Sequence, residues 1–169
     1  MRTLNGADVA GLSAALLAWW ERHGRGGIPW KLRPDGMRPA PDQELAAYPI
    51  WVAEVMLQQT QLAVVLPYWQ RWMEAFPTVE ALAAAPLDKV RLQWQGLGYY
   101  SRVRRLHESA QVLAGRPWPT TLEQWMSLPG IGRTTAGSIL SSAFNTAEPI
   151  LDGNVKRVLA RLQAHPRSP

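Results

Sequence analysis

Residues 121–144 read TLEQWMSLPGIGRTTAGSILSSAF, and much of the architecture follows from them. Thr121, or Thr120 before it, is an N-cap residue ahead of a short run that ends near Ser127. Leu128-Pro129-Gly130-Ile131-Gly132-Arg133 then breaks the chain, because proline and glycine do not carry a helix onward. From Thr134 to Phe144 the spacing predicts a second helix. The two glycines make positive φ available and let the backbone come close to a ligand. The second helix starts at once, so its unpaired N–H groups and positive dipole end face the turn, which suits a phosphate oxygen. Arg133 adds a full charge beside it. A plain glycine-bearing turn between helices accounts for the same residues.

The flanking sequence reads as helix nearly throughout. Leu12, Leu16, Trp19 and Trp20 form a stripe near period 3.6, ended by Gly24, Gly26 and Gly27. Residues 33–49, with Pro34, Pro39, Pro41, Pro49 and Gly36, read as the longest loop. Helices are predicted from about Ile50 to Leu62 and from Pro67 to Phe76, and a short one begins after Thr78. The next has Pro86 in its first turn and closes at Gly96-Leu97-Gly98. A basic helix follows over Tyr99–Ala114, and a last one over Asn154–Gln163, before the trailing His165–Pro169. No alternation of period two and no hairpin signal between strands is present, so the expected class is all-α.

Composition narrows the function. Of 169 residues, 47% are apolar and 18% charged, a globular balance. The net charge is +5. Residues 1–100 carry nine basic and nine acidic side chains and residues 101–169 carry nine and four, so the excess lies wholly in the second part. That asymmetry fits a basic face for an anionic partner such as nucleic acid, or a solvated surface. The absence of cysteine excludes disulfides, a thiol nucleophile, and a thiolate-held zinc or iron–sulfur cluster within these residues. No apolar run approaches the length of a membrane span, and Asp8 and Glu21 interrupt the N-terminal stripe, which reads as a helix and not a signal peptide. Nine Trp against two Phe suggests a core built largely on indoles.

Three further stretches could carry chemistry. In Trp51-Val52-Ala53-Glu54-Val55-Met56-Leu57-Gln58-Gln59-Thr60-Gln61, Glu54 stands among apolar residues. Burial would raise its pKa, as a carboxyl that donates a proton near neutral pH requires; an exposed Glu on an amphipathic helix is the other reading. Gln58 lies one turn on, and Gln59 could present its amide to a base edge. In Ile150-Leu151-Asp152-Gly153-Asn154-Val155-Lys156-Arg157, Asp152 precedes a helix and is either a plain N-cap or a carboxylate that steadies a cationic sugar. One protonated and one ionised carboxyl is the pairing that cleavage of a glycosidic bond needs. In Gly96-Leu97-Gly98-Tyr99-Tyr100-Ser101-Arg102, an aromatic could wedge into a base stack, or cap a helix and join the core.

Taken together, EVMLQQTQ, GLGYYSR, LPGIGR with its following TAG, and ILDGNVKRVLAR occur in the order found in a known family. The chain resembles the adenine DNA glycosylases of the MutY type, in the helix-hairpin-helix base-excision repair superfamily, from about Ile28 to Gln163. The resemblance implies a helix-hairpin-helix glycosylase fold, with a six-helix barrel over 49–145 and its helix-hairpin-helix at about 122–144. Residues 1–30 and 146–169 would belong to an incomplete second helical domain, the latter carrying the catalytic Asp loop, with 31–48 as a Pro-rich connection.

The implied activity is hydrolysis of the N-glycosidic bond of adenine mispaired with 8-oxoguanine or guanine, after the base is flipped out of double-stranded DNA. Glu54 then matches the general acid and Asp152 the carboxylate that stabilises the oxocarbenium-like sugar. Asn154 matches a supporting polar residue, Tyr99 the intercalating aromatic, and Gln59 the residue inserted opposite the damaged base. Gln58, Gly130, Gly132, Arg133 and Thr135 would contact DNA, and Leu57 and Lys31 would line the base pocket. Endonuclease III-like relatives carry a nucleophilic lysine at position 134, and here it is Thr134, with no lysine between Lys89 and Lys156. Water is therefore the expected nucleophile, with Thr134 in a supporting role.

The family's [4Fe-4S] cysteines and its 8-oxoguanine recognition domain lie beyond the last matched helix. The chain is thus expected to be an N-terminal portion of a longer protein, with no metal or cofactor of its own and reduced grip on DNA. Leu12, Leu16, Trp19 and Trp20 would lack their partners. The protein is expected to be a cytoplasmic monomer, associated with the nucleoid if bacterial, with no membrane contact.

Overall fold

The computed structural model describes residues 5–163, and the trailing His165–Pro169 segment lies outside them. Among the described residues every regular element is helical, in agreement with the expected all-α class. The described part divides into two compact units, one of the residues up to Ile28 with those from Ile150 onward, the other of Pro29–Pro149.

In the first unit, α1 spans Gly6–His23. Asn5 and Asp8 close a capping box at its start, Asp8 N donating to Asn5 Oδ1 at 2.9 Å and Asn5 N to Asp8 Oδ2 at 3.1 Å. Leu12, Leu16, Trp19 and Trp20 do form a run along this helix, yet all four are exposed. The helix α9, Gly153–Leu162, begins on Asp152 and has no buried residue, with Val158, Leu159 and Leu162 exposed.

The second unit is organised around α2, Ala47–Leu57. Eight of its eleven residues are buried, on all sides of the helix, as a sequence apolar at nearly every position demands. It packs against α3 (Leu62–Ala75), α6 (Ser101–Leu113), α8 (Arg133–Phe144) and a single 3-10 turn at Pro29–Lys31. Around this axis, α4 (Val79–Ala84) and α5 (Leu87–Trp94) pack on α6, α5 also touches α3, and α7 (Leu122–Met126) lies on α8. Indoles fill the interior. Trp72 meets Phe76 and Trp94 at ring-centroid distances of 5.1 and 5.6 Å, and Trp51 meets Trp118 and Trp125 at 6.1 and 6.4 Å.

Several boundaries differ from those predicted. The α2 helix starts at Ala47, not Ile50, because Pro49 falls in the first turn, where its missing N–H has no helical acceptor anyway. It stops at Leu57, not Leu62, because Gln59 turns left-handed at φ 61°. The α3 helix starts at Leu62, not Pro67, and runs straight through that proline. Pro67 and Ala63, whose carbonyl loses its partner, are both exposed, so water can take the freed acceptor. The α6 helix begins at Ser101, because Tyr99 also adopts a left-handed backbone, φ 48°.

Candidate functional site

The hairpin comes first in construction. Thr121 and Gln124 form a capping box that starts α7, and Leu128 and Ile131 are buried on either side of the turn. Gly130 has φ +80°, and a Cβ there would stand 3.0 Å from Arg105 Cδ and 3.1 Å from Arg105 Cβ. Gly132 is different: its backbone is extended at φ −93°, it is the N-cap of α8, and a Cβ would meet open space. Only Gly130 is therefore required by positive φ; Gly132 leaves the helix entrance unobstructed. Two inward bonds hold the turn. Ser109 Oγ on α6 donates to Pro129 O at 3.2 Å, and Gln58 Nε2 donates to Gly130 O at 3.4 Å. The first-turn N–H groups of α8 thus open where Arg133 and Thr134 are exposed. Thr135 is half-buried, and its hydroxyl accepts from Gln58 Nε2 at 3.2 Å. Gln58, expected to contact DNA, is bonded through its side-chain amide to the hairpin.

Glu54 is the one charged residue of α2 and is half-buried. Burial raises its pKa above the ordinary 4.5, against the opposing influences of a hydrogen bond from Ser138 on α8 and the positive charge of Lys31. Its carboxyl is thereby biased toward the protonated form while keeping a hydroxyl and a cation within reach. Leu57, one turn along, is half-buried and Lys31 is exposed. Ser138 was not visible as a partner in the sequence, where it is one serine among several in α8.

Two turns flank the C-terminal end of α2. Gln59 is exposed in the first, and Tyr99, 59% exposed, in the second. Both hold positive φ without being glycine, an arrangement that costs about 1–3 kcal/mol each and persists only where the surroundings impose it. Between them lies Arg102, only 7% exposed. Its Nη1 donates to the carbonyls of Val55, Met56 and Gln58, and its Nη2 to Thr60 Oγ1, Leu97 O and Gly98 O. Burial pulls its pKa below the ordinary arginine range. Within the basic helix expected over Tyr99–Ala114, Arg102 carries no role of its own. A signal existed, because Arg102 shares a helical stripe with Leu106, Ser109 and Leu113, all buried.

In the other unit, Asp152 is the N-cap of α9, its Oδ1 accepting from Asn154 N at 2.9 Å and Val155 N at 2.8 Å. Asn154 is exposed, and its side-chain oxygen accepts from Arg157. Among the described residues no group of three or more His, Cys, Asp or Glu gathers as a metal site. With no cysteine, the chain has no residue fitted to an iron–sulfur cluster of the kind the resemblance implies. No described helix is long and apolar enough to cross a membrane.

Comparison with known proteins agrees with the all-helical fold. Residues 52–169 match the model of the HhH-GPD superfamily of base excision DNA repair proteins. The chain is 45% identical to the adenine DNA glycosylase of Homo sapiens over 162 residues, which is 94% of this chain and 29% of the human protein. It is 39% identical to that of Buchnera aphidicola subsp. Baizongia pistaciae over 149 residues, 86% of this chain and 39% of the relative. The chain thus spans between about a quarter and two fifths of such relatives' length. Among solved structures, a non-covalent endonuclease III–DNA complex superposes with TM-score 0.71 at 22% identity, covering 96% of this chain and 70% of that one. A thermostable thymine-DNA glycosylase gives 0.74 at 21%, covering 89% and 65%.

Proposed function

The chain belongs to the HhH-GPD superfamily of base excision DNA repair proteins, and on that premise we propose that it carries the base-removing machinery of an adenine DNA glycosylase. The substrate is double-stranded DNA with adenine opposite 8-oxoguanine or guanine. The observation that carries this reading is Glu54: a carboxyl in an apolar helix, its proton held more tightly by burial, beside Lys31 and Ser138. The relatives' printed activity and the order of the matching segments support it.

In this reading the α8 entrance, with Gly130, Gly132, Arg133 and Thr135, grips phosphate without reading sequence. Tyr99 and Gln59 enter the base stack and fill the space left by the extruded adenine. Leu57 and Lys31 border the base, while Gln58 acts by holding the hairpin. Glu54 gives its proton to the adenine ring, and the bond from sugar to base breaks with its electron pair leaving on the base. The positive charge left on the sugar is stabilised by the Asp152 carboxylate, with Asn154 in support. Water, deprotonated toward the Glu54 carboxylate, adds to the sugar carbon, and Thr134 assists where a lysine would attack covalently.

The reading treats 49–145 as the barrel part and 1–30 with 146–169 as pieces of a second domain. It places the protein as a monomer on cytoplasmic or nucleoid DNA.

Single-turnover release of adenine from an 8-oxoguanine·adenine duplex tests it. Glu54→Gln should bind the duplex and lose release by about 10²–10⁴-fold, the usual share of a general acid. Undiminished release by that variant defeats the assignment. Duplex binding without release by the wild-type protein points instead to a non-catalytic helix-hairpin-helix module.

A further inference from the structure

We infer that Arg102 is a positioning residue: its buried guanidinium locks the 58–60 turn and the 96–99 turn into one register, so that Gln59 and Tyr99 meet the duplex as a matched pair. The inference rests on the proposed function for the identity of the partner, and on geometry for everything else.

The guanidinium serves both turns at once. On one side it takes Val55 O at 3.1 Å, Met56 O at 2.9 Å, Gln58 O and Thr60 Oγ1 at 3.2 Å. On the other it takes Leu97 O at 3.2 Å and Gly98 O at 3.4 Å. Its central carbon lies 5.2 Å from the centroid of the Trp94 ring and 5.3 Å from that of the exposed Tyr99, so a buried indole and the tyrosine both bear on the same guanidinium.

The charge also answers the negative end of α2, whose last carbonyls have no helical donors. A lone surface arginine would satisfy none of this. Gln59 and Tyr99, the two residues it spans, are two of the three left-handed non-glycine positions among the described residues, the third being Asn145 at the end of α8. An unfavourable backbone at two separate loops, bridged by one side chain, marks a device that sets their relative position. Arginine alone suits it, because its planar fork reaches two sets of acceptors where an ammonium is a single point.

The test compares wild type with Arg102→Lys and with Thr60→Val, which removes one acceptor and leaves the buried cation. Hydrogen exchange without DNA should rise in both turns together in Arg102→Lys, and in the 58–60 turn in Thr60→Val, with α3 and α4 unchanged. With 2-aminopurine in place of adenine, the fluorescence rise on duplex binding should shrink in Arg102→Lys. Single-turnover adenine release should fall by about 100-fold at saturating protein, the cost of an ångström of misplacement, while duplex affinity holds.

Exchange that rises in neither turn, or in the 96–99 turn alone, overturns the inference. So does wild-type fluorescence and release in Arg102→Lys. Should the wild-type protein release no adenine, the proposed function falls, and exchange with the fluorescence change alone decides for or against the clamp.

Discussion

Gly130 and Gly132 sit two residues apart in one hairpin, yet replacing each with alanine should give opposite results. At Gly130 the left-handed backbone costs an L-residue about 1–2 kcal/mol. The new methyl would also press on Arg105 Cβ at 3.1 Å, an atom fixed to the α6 backbone, and yielding there adds a further ~1 kcal/mol of the overpacking kind. For a chain of this size each kcal/mol moves Tm by about 2–4 °C, so Gly130→Ala should lower it by about 4–12 °C.

At Gly132 the extended backbone accepts alanine, and no atom lies within 4 Å of the added carbon. Alanine is a poorer N-cap by a few tenths of a kcal/mol to ~1, while the narrower unfolded ensemble returns about 0.4–1. Tm should therefore stay near the wild-type value. The methyl does, however, occupy the approach to the first-turn N–H groups of α8. Losing one hydrogen bond to a charged oxygen, about 1.5–3 kcal/mol, should weaken duplex affinity roughly 10–100-fold. Differential scanning fluorimetry and fluorescence anisotropy at one fixed salt concentration read the two effects separately. Equal losses of Tm in the two variants would refute the backbone argument. Wild-type duplex affinity in Gly132→Ala would remove the hairpin from the phosphate contact.

Two further outcomes follow from the site. Glu54 has a raised pKa when folded, so its ionisation opposes folding, and stability is fully present below the unfolded value and lost as pH rises through the folded one. Glu54→Gln, which cannot ionise, should thus have a higher Tm than wild type at pH 7–8, with the gap closing toward about pH 4; a gap that is constant across pH defeats the burial argument. Borohydride reduction in the presence of substrate duplex should leave the wild-type protein unlinked to DNA, because Thr134 offers no amine, whereas Thr134→Lys should become trapped; a wild-type covalent adduct would reassign the nucleophile.

The parts of the fold that rest on local rules were legible in the sequence. Thr121 with Gln124 announces α7, Pro129 and Gly130 its end, and the apolar run around Glu54 a buried helix whose single carboxyl must feel desolvation. The errors came where distant contacts decide. Pro67 reads as a helix start, but because its face is exposed the helix tolerates it mid-course. Gln59 and Tyr99 read as residues of helix end and helix start, and nothing local predicts their left-handed backbones, which depend on an arginine 43 positions away from one and three from the other. Arg102 itself lies in a run of cations that composition assigns to the surface, and only its register with Leu106 and Leu113 betrays it. Ser138 meets Glu54 from another helix, a pairing that no spacing encodes.

The double commitment of Gln58 changes how loss-of-function data at that residue should be interpreted. Its main-chain oxygen is bound by Arg102 while its amide spans to Gly130 and Thr135, so truncating it frees the hairpin from the acid-bearing helix even if no nucleotide ever touches it. A weakened Gln58→Ala protein would mimic the phenotype of a lost base contact, and assigning a recognition role from such a scan would credit the lock with the work of the hinge.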